Sequence, residues 1–382
     1  MAARVVVVGG GYGGASLAKH LDGIADVTLV EPKDAFVHAS AALRAAVDAT
    51  WTPRVFFPYD QLLTHGRVVQ DWARRLSPSR VQLSPYEAIE ADYLVLATGT
   101  AYPFPAKFLE DETTVASARL TRLRDALSHC ERALVVGGGP VGLELAGELT
   151  SAFPDVHVTV VDMADDVLTV GDFLPDLRES VRRQLADRGV EFITGAPLAY
   201  LPPVDVGTYA PFTVETTTRV PIEAQVWFRC YGSRPITNYL DEELAASRRP
   251  DGHVRVTDHL AVVGQTTVFA IGDITDVPES KRASAAIDHA GVVAQNISDL
   301  MEGKKPSARY VPAAERIVLP LGPDGGASQV EQDGTRIVLG PEETIAIKGA
   351  DLFSSDVAEM FGRPRPRPPT GGDGGQAAMP TA

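Results

Sequence analysis

The sequence predicts an α/β protein of two Rossmann-like, three-layer ββα domains, the second inserted into a discontinuous first, with a short β-rich C-terminal region. Three observations predict it. The valine-rich run Arg4 to Val8 leads into Gly9, Gly11 and Gly14, in G-x-G-x-x-G spacing. The run Ala133 to Val136 leads into the same spacing at Gly137, Gly139 and Gly142, 128 positions further on (137 minus 9). The apolar run Thr267 to Ile271 ends in Gly272 and Asp273.

In the first unit, Arg4 to Val8 reads as a buried strand and Ala15 to Leu21 as a helix. Asp26 to Val30 reads as a second strand that ends in Glu31, 17 positions past Gly14. This is a dinucleotide-binding pattern. Its glycines allow a tight turn, close approach of backbone to a pyrophosphate and close helix–strand packing. The helix N-terminus offers free N–H groups to phosphate, and the acid can hold a ribose. Gly13 and Val69 are counted with this binding set.

The alanine-rich run Ala39 to Ala46 reads as a helix carrying Arg44, which either lies along a phosphate or flavin or is a solvated cation. His38 reads as a satisfied polar contact rather than a base. Between Trp51 and Glu90, short β-like runs (67–70, 80–83 and 87–90) predict a small antiparallel crossover. Asp92 to Leu96 reads as a buried strand ending in the turn Ala97, Thr98, Gly99. Pro103 and Pro105 then break the chain, which places a boundary there.

The second unit repeats the design. Leu143 to Thr150 reads as a helix and Val156 to Val161 as a strand ending in Asp162, 20 positions past Gly142. A carboxylate there binds ribose hydroxyls and repels a 2′-phosphate, so NADH is expected and NADPH disfavoured. Glu144 lies in the first helical turn, where an acid is favoured by the dipole or serves to orient nicotinamide ribose or flavin. Leu168 to Arg188 reads as an amphipathic helix, Val190 to Thr194 as a strand. Ala224 to Gly232 reads as a strand and turn matching the earlier Ala-Thr-Gly. Cys230, within it, reads as a core thiol.

Asp273 can accept hydrogen bonds from polyol hydroxyls, and Gly272 lets backbone approach a ligand. The helix Ala283 to Met301 follows. Lys281, just before it, is either a flavin-edge or pyrophosphate contact or a solvated cation. From Tyr310 to Gly362 three β-like runs are read at 316–321, 335–339 and 344–348. The Pro/Gly-rich remainder cannot make a core and reads as a disordered tail.

Bulk properties narrow the function. A chain of 382 residues is too long for one ordinary core. Its net charge of −15 argues against a nucleic-acid partner. Only Cys130 and Cys230 occur, with no C-x-x-C, so no disulfide framework, redox dithiol or cysteine-rich metal site is expected. The N-terminal stretch lacks the pattern of a signal peptide, and Ala2 argues against an N-myristoyl anchor. No apolar run has the length of a membrane span. Cytoplasm is the expected location. Peripheral membrane contact and a homodimer are left open.

Taken together, Gly9, Gly11, Gly14 and Glu31, then Ala97 to Gly99, Gly137, Gly139, Gly142 and Glu144, then Ile271 to Asp273 resemble the two-dinucleotide-binding-domain flavoproteins. These are FAD/NAD(P)H oxidoreductases of the pyridine nucleotide-disulfide superfamily. Ala41 to Arg44 and the run Lys348 to Phe353 look most like the AMID-like, ferroptosis-suppressor type of NAD(P)H:quinone oxidoreductase. The resemblance implies FAD on the first unit, NADH on the second, Lys348 beside the flavin and Phe353 near the acceptor pocket. The implied layout is an FAD domain at 1–104, an NAD(P)H domain at 105–255, the second part of the FAD domain at 256–309, a C-terminal subdomain at 310–362 and the tail at 363–382. Without the superfamily's cysteine pair, electrons are expected to pass from FAD directly to an acceptor, a quinone being favoured. A ferredoxin- or rubredoxin-type reductase and an NADH-sensing flavoprotein like apoptosis-inducing factor are the alternatives.

Overall fold

A computed structural model describes residues 2–365. The first unit is a parallel sheet in which Val268–Ala270, Tyr93–Leu96, Arg4–Val8, Asp26–Val30 and Arg67–Val69 lie side by side in that order. Val5 to Val8 are buried on both faces, as a central parallel strand requires. Helix α1 (Tyr12–Leu21) packs against the helix Ala283–Met301. The strand from position 268 therefore completes a sheet begun at position 4, and the first unit is discontinuous.

The second unit is a four-stranded parallel sheet. Its order is Glu191–Ile193, His157–Val161, Arg132–Val136, Val226–Arg229. Helices α2 (Ala39–Val47), α3 (Thr113–Ser128) and α4 (Pro140–Ala152) meet where the units join. The two connections run side by side, Thr100–Ala101 pairing antiparallel with Arg234–Pro235.

Several elements differ from expectation. Arg67–Val69 is the edge strand of the parallel sheet, not part of the antiparallel crossover, which comprises Arg75–Ser77, Arg80–Ser84 and Glu87–Glu90. Helix α5 (Pro175–Asp187) starts late because Pro175 takes a first-turn position, where its missing N–H costs nothing. The chain re-enters the first unit's core at Tyr239, ahead of position 255. Tyr239, Leu244 and Val254 pack with Val6, Val8 and Leu76.

The C-terminal region departs most. Ile317–Pro320, Gly326–Gln332 and Thr335–Leu339 form an antiparallel sheet, but the expected strand at 344–348 is helical. Gly340 caps a helix over Pro341–Thr344 with Glu342 and Glu343 in its first turn, and a wide π-type turn continues over Ile345–Gly349. Proline and acids suit a helix start, and this outweighs the strand-like alternation of Ile345 and Ile347. The region is a strap rather than a separate body. Leu319, Leu321 and Leu352 enter the second unit's core, while Val357, Ala358 and Phe361 enter the first unit's. The expected tail lies, from position 366, outside the described residues. No helix among the described residues is long and apolar enough to cross a membrane.

Candidate functional site

The two glycine loops are built alike. Gly9 and Gly137 have φ of +105° and +117°, a region where a side chain is strained. A Cβ on Gly14 would strike the Gly9 carbonyl oxygen, and one on Gly142 the Gly137 carbonyl oxygen. Beside Gly11 and Gly139 there is open space, which leaves their backbone approachable. One glycine of each loop thus turns, one exposes backbone and one packs.

The strand-end acids also correspond. Glu31 Oε2 accepts the Gly10 N–H at 2.6 Å, and Oε1 accepts that of Lys33 at 3.0 Å. Asp162 Oδ2 accepts from the Gly138 N–H at 2.5 Å, and Oδ1 from that of Ala164 at 2.7 Å. Each acid braces its own loop. Burial raises the Glu31 carboxyl above the ordinary range, and the two amides pull it back. After Asp162 the chain carries Asp165 and Asp166. Arg182 reaches this stretch but is paired with Asp166 at 3.0 Å.

A cavity of about 400 Å³ opens on the first loop. Of the sequence-predicted residues it collects Gly9, Gly11, Gly13, Glu31, Ala97, Thr98, Gly99, Gly272, Asp273 and Lys281. Gly14 packs behind the loop. Asp273 accepts from the Thr100 hydroxyl at 3.0 Å and pairs with Lys107 at 3.3 Å. Lys281 Nζ donates to the carbonyls of Thr275 and Val277, both at 2.9 Å, and burial lowers its amine below the ordinary value. It braces the turn after Asp273. Lys107, Trp72 and Tyr59 also line the cavity. Sequence reasoning missed these three, since none belongs to a spaced motif.

Two predicted cofactor residues lie elsewhere. Val69 is not on the cavity wall; its carbonyl accepts the Glu31 N–H at 3.0 Å and so places that acid. Arg44 is neither a cavity residue nor a solvated cation. It is buried, held by Glu148 at 3.0 Å, and donates to the Gly349 carbonyl at 2.6 Å. Its charge is paired away from solvent, although Nη2, 3.0 Å from Glu148 Oε1, makes no hydrogen bond.

The remaining predicted residues meet at the C-terminal strap, and neither Lys348 nor Glu144 lines the cavity. Lys348 Nζ donates to Glu144 Oε1 at 2.7 Å, so two residues predicted separately form one ion pair. His38 Nε2 faces the Leu352 carbonyl at 2.7 Å, and Nδ1 faces the Tyr12 hydroxyl at 2.8 Å. A carbonyl only accepts, so Nε2 carries the proton and the Tyr12 hydroxyl donates to Nδ1. Burial, aided by the Lys348 charge and opposed by the Leu352 carbonyl, lowers His38 to about 4. It is a neutral connector, and the expectation of a satisfied polar contact holds. Leu352 and Phe353 are both left-handed, with φ of 51° and 63°, and Phe353 does not line the cavity.

The chemistry available is that of two backbone cradles with acids, two lysines beside Asp273 in the cavity wall, and two ion pairs at the junction. Cys130 and Cys230 are separate free thiols, and burial pushes Cys230 up to about 12. Neither lines the cavity. Among the described residues no cluster of potential metal ligands occurs.

Residues 3–290 match the family described as pyridine nucleotide-disulphide oxidoreductase. The chain is 30% identical over 363 residues to ferroptosis suppressor protein 1 of Homo sapiens, covering 93% of this chain and 94% of that one. It is 27% identical over 384 residues to apoptosis-inducing factor homolog B of Dictyostelium discoideum, covering 95% and 98%. In fold it is similar to the sulfide:quinone oxidoreductase of Aquifex aeolicus, with a TM-score of 0.73, 18% identity, and 95% and 92% of the two chains covered.

Proposed function

Because the chain belongs to the pyridine nucleotide-disulphide oxidoreductase family, we propose that it takes hydride from NADH and passes electrons, through FAD, directly to a quinone. FAD, when bound, supplies the two-electron chemistry, and the protein supplies binding, orientation and electrostatics. The first loop fits that group. Its backbone is open at Gly11, Glu31 stands at the strand end, and Asp273, Lys107 and Lys281 line the same cavity. Gly137, Gly139, Gly142 and Asp162 would hold NADH.

The observation that carries the reading is the Glu144–Lys348 pair. It joins the helix that follows the second loop to the strap that closes on the first unit. In this reading the Lys348 amine would favour negative charge on the reduced flavin, with Glu144 holding the amine in position. Support for direct electron release is the chemistry of the thiols: both are buried singly and outside the cavity. The name of the sulfide:quinone oxidoreductase of like fold favours a quinone over a redox protein.

The test is an acceptor comparison. Purified protein should be yellow, be bleached by NADH and regain colour with a soluble quinone. Colourless protein that cannot take up FAD overturns the reading. Recovery with a ferredoxin but not with quinone transfers it to the redox-protein class, and reoxidation too slow for turnover favours an NADH sensor.

A further inference from the structure

Two ion pairs start from α4, one reaching the strap directly and the other reaching it through α2. Glu144 and Glu148 stand one turn apart on α4, which places them on one face. Glu144 pairs with Lys348, and Glu148 pairs with Arg44, whose Nη1 donates to the carbonyl of Gly349, the next residue along the strap. Arg44 itself belongs to α2 of the first unit. One guanidinium therefore touches the first unit's helix, the second unit's helix and the strap. Its direction is fixed by more than charge. The guanidinium carbon lies 4.8 Å from the Trp51 ring centre, with Arg54 over the same ring at 4.5 Å and Arg54 Nη1 3.5 Å from Asp351.

Arg44 and Glu148 are 4% exposed each. A buried pair of this kind contributes little net stability, because desolvation offsets the attraction. Its geometry is a different matter. The planar fork of arginine can hold a carboxylate and a carbonyl at fixed angles, which a lysine ammonium cannot reproduce. The Glu144–Lys348 pair, by contrast, is partly open to solvent and made of long, flexible side chains.

We propose that Arg44 is a positioning residue that locks α4 and the 345–349 turn in one register, and so holds the Lys348 amine against Glu144. Only the role of that amine in electron transfer rests on the function proposed above; the register itself does not.

The test uses the full chain loaded with FAD. The double substitution Arg44→Met with Glu148→Met removes both buried charges together, and Arg44→Lys keeps the charge but loses the fork. The acylation rate of Lys348 by an N-hydroxysuccinimide ester is read by peptide mass spectrometry, with exposed Lys305 as internal standard. Lys348 should react slowly in the parent protein. In the double variant it should react about fivefold faster, the factor set by a partly exposed ion pair. Arg44→Lys should fall between, with kcat for NADH oxidation reduced and KM for NADH held. A folded double variant whose Lys348 stays as protected as in the parent overturns the proposal. If the double variant does not fold, Arg44→Lys decides by the same comparison. Should NADH fail to reduce the parent protein while the acylation difference persists, the proposed function fails and the register stands.

Discussion

Lys348 Nζ and Glu144 Oε1 lie 2.7 Å apart although 204 positions separate them in the chain. The contact ties the helix after the second glycine loop to a strap that folds back over the first unit. Each partner leaves the other uncompensated if removed. Lys348→Met should lower kcat for NADH oxidation by about tenfold, the rate equivalent of one charge-assisted hydrogen bond. KM for NADH should change little. Steady-state kinetics with a soluble quinone check this. An unchanged kcat would remove Lys348 from the reacting centre.

Substitution of the packing glycines tests the two proposed nucleotide sites separately. Gly14→Ala puts a methyl group into the Gly9 carbonyl, and Gly142→Ala does the same at Gly137. Both obstacles are backbone, so each loop must shift. Gly14→Ala should yield protein without flavin absorbance, or none that folds. Gly142→Ala should remain yellow and show KM for NADH raised by roughly tenfold or more. A colourless Gly142→Ala protein would contradict the assignment of loops to cofactors.

The proposed role of Asp162 in choosing the nicotinamide nucleotide is open to test. Asp162→Arg should move the ratio of kcat/KM from NADH towards NADPH. The amides of Gly138 and Ala164 lose their acceptor in this variant, so total activity should also fall. Competition between the two nucleotides in one assay reads the ratio free of that loss. A ratio unmoved from the parent's would refute the role.

His38 predicts an acid sensitivity. Its folded-state value of about 4 lies below the ordinary 6.5. The unfolded chain therefore binds the proton first as pH falls. The stability this residue contributes is complete above about pH 6.5 and is lost as pH falls towards 4, by at most about 3 kcal/mol. His38→Gln should flatten the decline of the urea midpoint between about pH 6.5 and pH 4.5. Equal slopes for parent and variant would show that His38 does not titrate in this way.

Local signals made most of the fold readable. The valine runs before each glycine loop, the acid at the end of the following strand and the helix over 283–301 are all written within a few neighbours. The same holds for the cradle residues and for Asp273. Arg44 was not readable because its meaning lies in Glu148 and Gly349, 104 and 305 positions away. An arginine in an alanine-rich helix looks solvated until those partners arrive. The 344–348 run misled for a different reason. Ile345 and Ile347 alternate like a strand, while the helix start sits upstream at Pro341, Glu342 and Glu343. Lys107 gave no signal at all, since it follows a proline-broken linker and meets Asp273 only through the fold.

The side-by-side connections at Thr100–Ala101 and Arg234–Pro235 have an engineering consequence. Entry and exit of the second unit are neighbours, so that unit is a cassette with a narrow plug. Another nucleotide module whose ends lie equally close could be spliced in at these positions without stretching the host sheet. The splice would succeed only if the guest brought an apolar face for Leu319, Leu321 and Leu352 of the strap and an acid to face Arg44. Otherwise the host would be left with a charge sealed inside it.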